Sequence, residues 1–487
     1  MSLAPSAKEG KFGSGELPAE NIPAEESKRL VTLYLAQISR LAIDEIKRSG
    51  FTEDEIRWCL TVPAIWGDYE KQLMREAAVG AGLPDDPKRL LLAYEPEVAA
   101  HYARISGART AQMTGKRATL MSPGSRFLVA DCGGGTVDIT AYRAVSGNQL
   151  EEIGRECGGK FGSEYVNQAF VERVLVPRFG SYTAFEEIRA QQPTAVLGLI
   201  DKWEEAKLHF STEYGEEIFI PIPVPIDRCL DDEARASLAK IQNGVTEEIV
   251  VTPEEARQVF EEVVPGVLSL IDKQLAEMRS QRRNASGKEL VVLVGGFGNS
   301  PYLRDRLQQH LDGRAELIVP PDPQVAVLFG AAYYACSPQI RSRRARLTYG
   351  CDVAMPFRPG IDPEEYKLEG PDHTYCQHRF DTFVRIGEVV KVGEWVTRTH
   401  FPIWPDHDKF TLDVYSSQGK YPMYVKQDGC KKIGSLLVDL SSVMHLDIRR
   451  RGVFVSMQFG ETEIQVSAVL KESGKTVEAT LSFEPLT

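Results

Sequence analysis

The sequence predicts an α/β domain followed by an all-β domain. Up to about residue 339, short apolar runs of strand length alternate with apolar residues at helical spacing, the pattern of a mixed α/β layer structure. Beyond about residue 347, Pro, Gly and alternating β-branched or aromatic residues dominate, which reads as strands of period two. A third observation bears on function. The strand-like run Phe127-Leu-Val-Ala-Asp131 enters Cys132, Gly133, Gly134 and Gly135, then Thr136, Val137 and Asp138.

Residues 1–26 are rich in Ala, Glu, Gly, Pro and Ser and lack the apolar core of a signal peptide, so they read as a disordered segment. Leu30, Leu33, Tyr34, Ile38, Leu41 and Ile46 predict an amphipathic helix over 27–48. A strand over Ile56–Val62 ends at Pro63, followed by a helix over 68–80, a strand over Leu90–Leu92 and a helix over 96–105. Residues 106–125 read as a loop. Arms 126–131 and 136–143 form a hairpin around the triple glycine. A strand near 149–154 leads to Gly158-Gly159-Lys160-Phe161-Gly162 and a helix over 163–176. Helices follow at 197–210 and 252–279. The second opens on Thr252-Pro253-Glu254-Glu255, a capping box with Pro at the first helical position. Leu290–Val294 reads as a buried strand ending at Gly295-Gly296, with a helix from Pro301, a strand over 316–319 and a helix over 324–335.

Ile340-Arg-Ser-Arg-Arg-Ala-Arg346 reads as a basic linker. Phe410–Tyr415, Leu436–Leu440, Val453–Met457, Ile464–Ala468 and Val477–Leu481 alternate with period two and place an all-β domain at 347–487. The front domain is then 27–339.

A net charge of −12 over 487 residues argues against a nucleic-acid surface. No apolar run reaches 18 residues, so no membrane span is expected. The eight cysteines (59, 132, 157, 229, 336, 351, 376, 430) are dispersed, without metal-ligand spacing, as expected of reduced thiols in a cytoplasmic protein.

Glycines that tolerate positive φ let successive amides point at one spot, and such a nest binds phosphate. Gly133, Gly134, Gly135 and Thr136 form the candidate nest. Asp131 and Asp138 flank it, placed to hold a hydrated Mg²⁺ against the phosphates. A glycine cluster alone is most often a structural turn; the flanking aspartates and threonine set this one apart. Gly295–Gly298 joins a strand to a helix N-terminus, where backbone can approach a ligand closely. Ser473-Gly474-Lys475-Thr476 resembles the end of a P-loop, but Val469 stands where the first glycine belongs, so it reads as a hairpin turn. No HExxH or Gly-x-Ser-x-Gly occurs, which leaves metalloprotease and nucleophilic hydrolase readings unsupported.

Together these motifs resemble the heat-shock 70 kDa chaperone family, whose nucleotide-binding domain has the actin-like, ribonuclease H-like fold. Leu60-Thr-Val-Pro-Ala64 is similar to the family's Thr-Val-Pro-Ala strand end, and Glu95-Pro96 with Ala99-Ala100 to its connecting motif. Asp131–Asp138 is similar to its second phosphate motif, and Glu204-Glu-Ala-Lys207-Leu-His-Phe-Ser211 to the helix that touches adenosine. Val294-Gly295-Gly296 resembles the adenosine loop, and Phe329-Gly-Ala-Ala332 the start of the last helix. The β domain resembles the family's peptide-binding sandwich. Gln458–Ile464 and Asp413–Ser417 point to the divergent member-12 branch.

The resemblance implies ATP or ADP with Mg²⁺ between two lobes. Asp131, Asp138, Thr136 and Glu95 would serve catalysis, Glu95 by positioning the attacking water, with Asp131 and Asp138 holding the metal through water. Gly295 and Gly296 would lie against the adenosine, with Glu204, Lys207 and Ser211 near ribose and base. Peptide or protein clients would bind the β domain. The chain also departs from the family. No Gly-Thr-Thr phosphate hairpin or following catalytic lysine precedes the helix at 27–48, so the actin-like domain is expected to be N-terminally incomplete and turnover weak or absent. Leu208 and Asn299 stand where two adenine-clamping arginines are expected. A non-catalytic scaffold that binds partners through the β domain is the alternative. An actin-fold sugar kinase is disfavoured by the C-terminal domain.

Overall fold

The computed structural model describes residues 23–477 apart from 115–119, 121, 147–148, 156, 281–288, 339, 460–461, 473 and 475. The disordered segment expected over 1–26 therefore lies outside the described residues up to 22. Residues 24–26 form the first turn of helix α1, Ala24–Arg48. Strands β1 (Trp58–Val62) and β2 (Leu90–Tyr94) pair in parallel, joined through α2, Asp68–Gly80. Helix α3 runs Glu95–Thr114, nine residues beyond the expected end at 105 and into the segment read as a loop. Gly107 lowers helix propensity but does not stop a helix whose first turns are fixed by packing.

The main sheet is built from β3 (Arg126–Cys132), β4 (Val137–Ala144), β5 (Leu150–Glu152), β6 (Cys157–Gly159), β9 (Glu289–Val294) and β10 (Ala315–Ile318), with two later strands. Its order is β10-β9-β3-β4-β5, then β11 (Ile340–Arg344) and β15 (Val389–Lys391), while β6 pairs with the end of β4. A two-stranded sheet of β7 (Ile218–Pro221) and β8 (Glu248–Val251) stands apart. The strands β3 and β9 are apolar throughout their middles because both faces are covered. One face packs on a cluster containing Phe170, Trp203, Phe210 and Phe260; the other packs on α3 and the helix Ala326–Cys336.

The capping box at Thr252 is present. The Thr252 hydroxyl accepts from the Glu255 amide at 3.2 Å, and Glu255 Oε2 accepts from the Thr252 amide at 2.9 Å. Glu255 also takes the buried Arg178 guanidinium at 2.9 Å. Thr252→Ala is expected to cost about 1 kcal/mol, read as a lower urea midpoint at unchanged slope. The helix expected over 252–279 is two helices, Pro253–Glu261 and Val264–Ser280. Pro265 has no amide proton to continue the first helix and instead sits in the first turn of the second.

Residues 340–346, read as a linker, contain a strand of the main sheet. β11 pairs in parallel with β5 and antiparallel with β15, so the front sheet continues into the C-terminal part. That part has two antiparallel sheets. One orders β13 (Lys367–Glu369), β14 (Thr374–Val384), β12 (Thr348–Pro356), β17 (Lys409–Ser417) and β18 (Cys430–Asp439). The other orders β16 (Trp395–His400), β19 (Val453–Gln458), β20 (Gln465–Leu470) and β21 (Thr476–Val477). Leu412, Val414, Leu436 and Val438 from the first share one core with Val453, Val455, Met457 and Ala468 from the second. The expected strand over 477–481 lies outside the described residues beyond Val477.

Polar contacts tie the C-terminal sheets to α2. Buried Lys71 reaches Asp68 Oδ1 at 2.7 Å and the Thr462 carbonyl at 2.7 Å. Arg75 forms a two-pronged pair with Glu463, and the Tyr349 hydroxyl donates to Asp68 at 3.2 Å. No helix among the described residues is long and apolar enough to cross a membrane, and the eight cysteines are free thiols.

Candidate functional site

The β3–β4 register sets Asp131 directly opposite Asp138, with Cys132 opposite Val137 closing the hairpin. Opposed residues of an antiparallel pair project from the same face, so both carboxylates point to one side. The turn between them is held by the Gly133 amide donating to the Thr136 carbonyl at 2.9 Å. On its far side, the amides of Ser163 and Glu164 donate to the carbonyls of Gly133 and Gly134 at 3.1 and 2.9 Å. In a trans peptide the N–H points opposite to the C=O. The Gly134 and Gly135 amides, on exposed residues, therefore face away from that helix, as a phosphate nest requires.

This approach requires a glycine at 162. A Cβ on Gly162 would lie 2.1 Å from the Gly134 carbonyl oxygen. Gly295 follows β9 with φ +88°, and a Cβ there would lie 2.4 Å from the Cys132 carbonyl and 2.5 Å from Asp131 Oδ1. All three glycine-bearing turns thus converge on the end of β3. Exposed Gly296 follows.

Three carboxyl groups share this space. Burial, then the charge of Asp138, pushes Asp131 up to about 7. Burial also raises Asp138, opposed by the Thr136 hydroxyl and by the amides of Ile65 and Ala64. Glu95, the first residue of α3, is pushed well above the usual carboxylate range by burial and by both aspartates. Asp138 Oδ1 accepts from the Ile65 amide at 3.1 Å, while its buried Oδ2 has no hydrogen-bond partner. Buried, mutually repelling carboxylates with an unsatisfied oxygen fit a cation. Among the described residues no three His, Cys, Asp or Glu side chains converge closely enough to chelate a metal directly. The donors present suit a hydrated ion such as Mg²⁺, which keeps several of its waters.

The helix Pro193–Lys207 carries Glu204 and Lys207. Lys207 Nζ donates to Asn167 Oδ1 and Glu204 Oε1, both at 2.8 Å, and to the Ser163 carbonyl at 3.2 Å. Burial lowers its pKa, and the bond to Lys207 lowers that of Glu204. These two residues therefore brace the helix that backs the nest. Ser211 lies past the end of its helix, in a turn tied to the third glycine segment. The Phe210 carbonyl accepts from the Tyr302 amide at 3.1 Å, and Asp305 accepts from the Thr212 amide and hydroxyl at 3.1 and 3.0 Å.

Three contributors escaped the sequence reading. The loop after β1 supplies the amides that hold Asp138. Arg346 donates to the carbonyls of Ala64 and Trp66 at 2.6 and 3.1 Å and lies 4.0 Å over the Tyr94 ring, bracing that loop. Arg304 folds back to donate to the Gly298 carbonyl at 2.9 Å and Asn299 Oδ1 at 2.6 Å, which puts a guanidinium on the third glycine turn. Its place in the first turn of the helix Pro301–Leu311, five residues after Asn299, was the available signal.

The chain is similar in sequence to several known proteins. A family model described as a domain of unknown function (DUF8340) matches residues 122–319, the stretch that holds all three glycine turns. Heat shock 70 kDa protein 12A of Homo sapiens is 27% identical over 96% of this chain and 77% of its own length. Heat shock 70 kDa protein 12B of Homo sapiens is 29% identical over 88% of this chain and 71% of its own. Chaperone protein DnaK of Thermoplasma volcanium is 25% identical over 61% of this chain and 42% of its own. The chain is similar to the heat-shock 70 kDa proteins over most of its length. Within them its likeness is to the member-12 branch, proteins 12A and 12B.

Proposed function

We propose that this chain binds ATP or ADP with Mg²⁺ in an actin-like front domain, residues 27–339, and presents partner-binding sheets over 347–487. The carrying observation is the facing pair Asp131 and Asp138, with an unsatisfied Asp138 oxygen, on the hairpin that carries the Gly134 and Gly135 amides. Those amides and Thr136 would take phosphate oxygens. Asp131 and Asp138 would hold the waters of Mg²⁺, which supplies charge neutralisation when bound. Glu95, raised by the same field, would orient a water and accept its proton once the cation lowers its pKa. Gly295 and Gly296 would pass along the nucleoside with Ser211 beside them, Glu204 and Lys207 behind, and Arg304 stacked on the base in place of Leu208 and Asn299.

Hydrolysis would be weak or absent. Arg346, the cation whose field reaches Asp138, is committed to the carbonyls of Ala64 and Trp66 and holds a loop rather than a transferring phosphoryl group. Calorimetry with Mg-ATP and Mg-ADP on folded protein tests the reading. Binding heat is expected, with at most slow single-turnover cleavage that Asp138→Ala abolishes. No heat with either nucleotide ends the proposal, and cleavage at a rate normal for the family ends its weak-turnover part.

A second reading, a nucleotide-independent scaffold, is favoured by one observation. The C-terminal part is joined to the front sheet by continuous strand pairing through β11 and β15, which leaves nucleotide-driven clamping little to act through. Proteolysis of the β-rich part with and without ATP separates the two, since identical protection favours the scaffold.

A further inference from the structure

We propose that the chain binds one hydrogen phosphate ion in a cavity between the lead into β6, the helix Val264–Ser280 and Arg346. The cavity, about 220 Å³, is lined by Arg155, Cys157, Lys273, Gln274, Glu277 and Arg346. Drug-sized ligands take larger sites, about 300 Å³ or more, so this one suits a small ion. None of its residues belongs to the glycine nest or is proposed to touch nucleotide, so it stands or falls apart from the nucleotide reading. It lies one strand away, since β6 pairs with β4 and sets Gly158 opposite Asp138. Charge selects an anion. Three of the six lining residues are cations and one is an acid, on a chain whose net charge is −12. Among the described residues, the Arg155 guanidinium and the Lys273 ammonium enter no ion pair or hydrogen bond. Arg346 is already fixed in place by the Ala64 and Trp66 carbonyls and the Tyr94 ring. A guanidinium held rigid beside two unengaged cations takes an oxyanion through charge-assisted hydrogen bonds.

The acceptors select which anion. Gln274 is 1% exposed. Its amide nitrogen donates to the Arg155 and Ile139 carbonyls, while its Oε1 is buried without a partner. Glu277 uses Oε1 for the Arg155 amide at 3.1 Å, which leaves Oε2 unengaged. Both free oxygens are acceptors, so an anion that satisfies them must also donate a proton. Hydrogen phosphate keeps one at neutral pH. Sulfate has the same shape and no proton to give, and a phosphomonoester loses its last proton at about pH 6.

Calorimetry on the full chain at pH 8 with inorganic phosphate, sulfate and methyl phosphate tests the assignment. Phosphate is expected to bind, with sulfate and methyl phosphate weaker by about tenfold or more. Arg155→Gln with Lys273→Gln, both at exposed positions, should abolish the phosphate heat and leave far-ultraviolet circular dichroism unchanged. Glu277→Gln should bring sulfate up to the affinity of phosphate, because an amide can donate where the carboxylate repels. Phosphate should also slow alkylation of Cys157, read by peptide mass spectrometry, which locates the ion in this cavity and not at the glycine nest. An absence of phosphate heat overturns the proposal, as does a heat that survives the double variant or leaves Cys157 alkylation unchanged. Sulfate bound as tightly as phosphate by the wild type overturns it too, since the acceptors would then play no part.

Discussion

Asp131→Asn is expected to raise the melting temperature of the nucleotide-free protein at pH 8 while removing any stabilisation by Mg-nucleotide. The reason is the price the fold incurs for holding Asp131 beside Asp138 in a buried site. In the folded protein Asp131 ionises near 7, against 3.8 for an ordinary aspartate. Between those values the folded state holds a proton that the unfolded chain has released. Its contribution to stability is therefore fully present below pH 3.8, falls as pH rises through that window, and is lost above 7. Asparagine keeps the shape and carries no charge at any pH, so the variant gains most at pH 8 and nothing at pH 4. Thermal melts at both values, with and without Mg-ADP, read the effect as a shift of several degrees. Equal melting of variant and wild type at pH 8 would show that the carboxylates are not in conflict. A Mg-ADP shift retained by the variant would remove Asp131 from the metal site.

The same strain explains why this part of the site was legible in the sequence. The hairpin announces itself locally: a strand, three glycines, and aspartates at positions whose spacing alone puts them opposite each other across a tight turn. The cap at Thr252 was legible for the same reason, because all its atoms lie within four residues. What stayed hidden depends on partners far along the chain. Lys207 looked like a ligand-facing cation from its motif, yet its ammonium is taken by Asn167, 40 residues earlier. The amides that hold Asp138 come from Ala64 and Ile65, the latter 73 residues away. The Arg-rich run 340–346 read as a basic linker, and arginine is rarely buried unless paired. Its pairing residue lies 246 positions away, beyond any periodicity argument.

That pairing carries the second large effect. Arg343 of β11 donates to both oxygens of Glu97 at 3.0 and 2.7 Å, with side-chain exposures of 6% and 2%. The guanidinium also lies 5.4 Å from the centre of the Tyr94 ring. Glu97 sits in the first turn of α3, two residues after Glu95, so the ion pair pins the strand that continues the sheet to the helix that opens the site. Arg343→Met removes one partner and leaves a carboxylate buried without its counter-charge, at a cost of about 3–5 kcal/mol. Removing both charges behaves differently, because desolvation is no longer spent on either ion. Glu97→Leu with Arg343→Met is expected to recover most of the loss. Urea denaturation measures the ordering: wild type and double variant close together, single variant well below. Hydrogen exchange at Val389–Lys391 supplies the structural readout, since β15 is held to the front sheet through β11. In the single variant those amides should exchange faster, and in the double variant they should slow again. A single variant within 1 kcal/mol of wild type, or a double variant no better than the single, would mean that the strand pairing, and not the buried charge pair, joins the two halves.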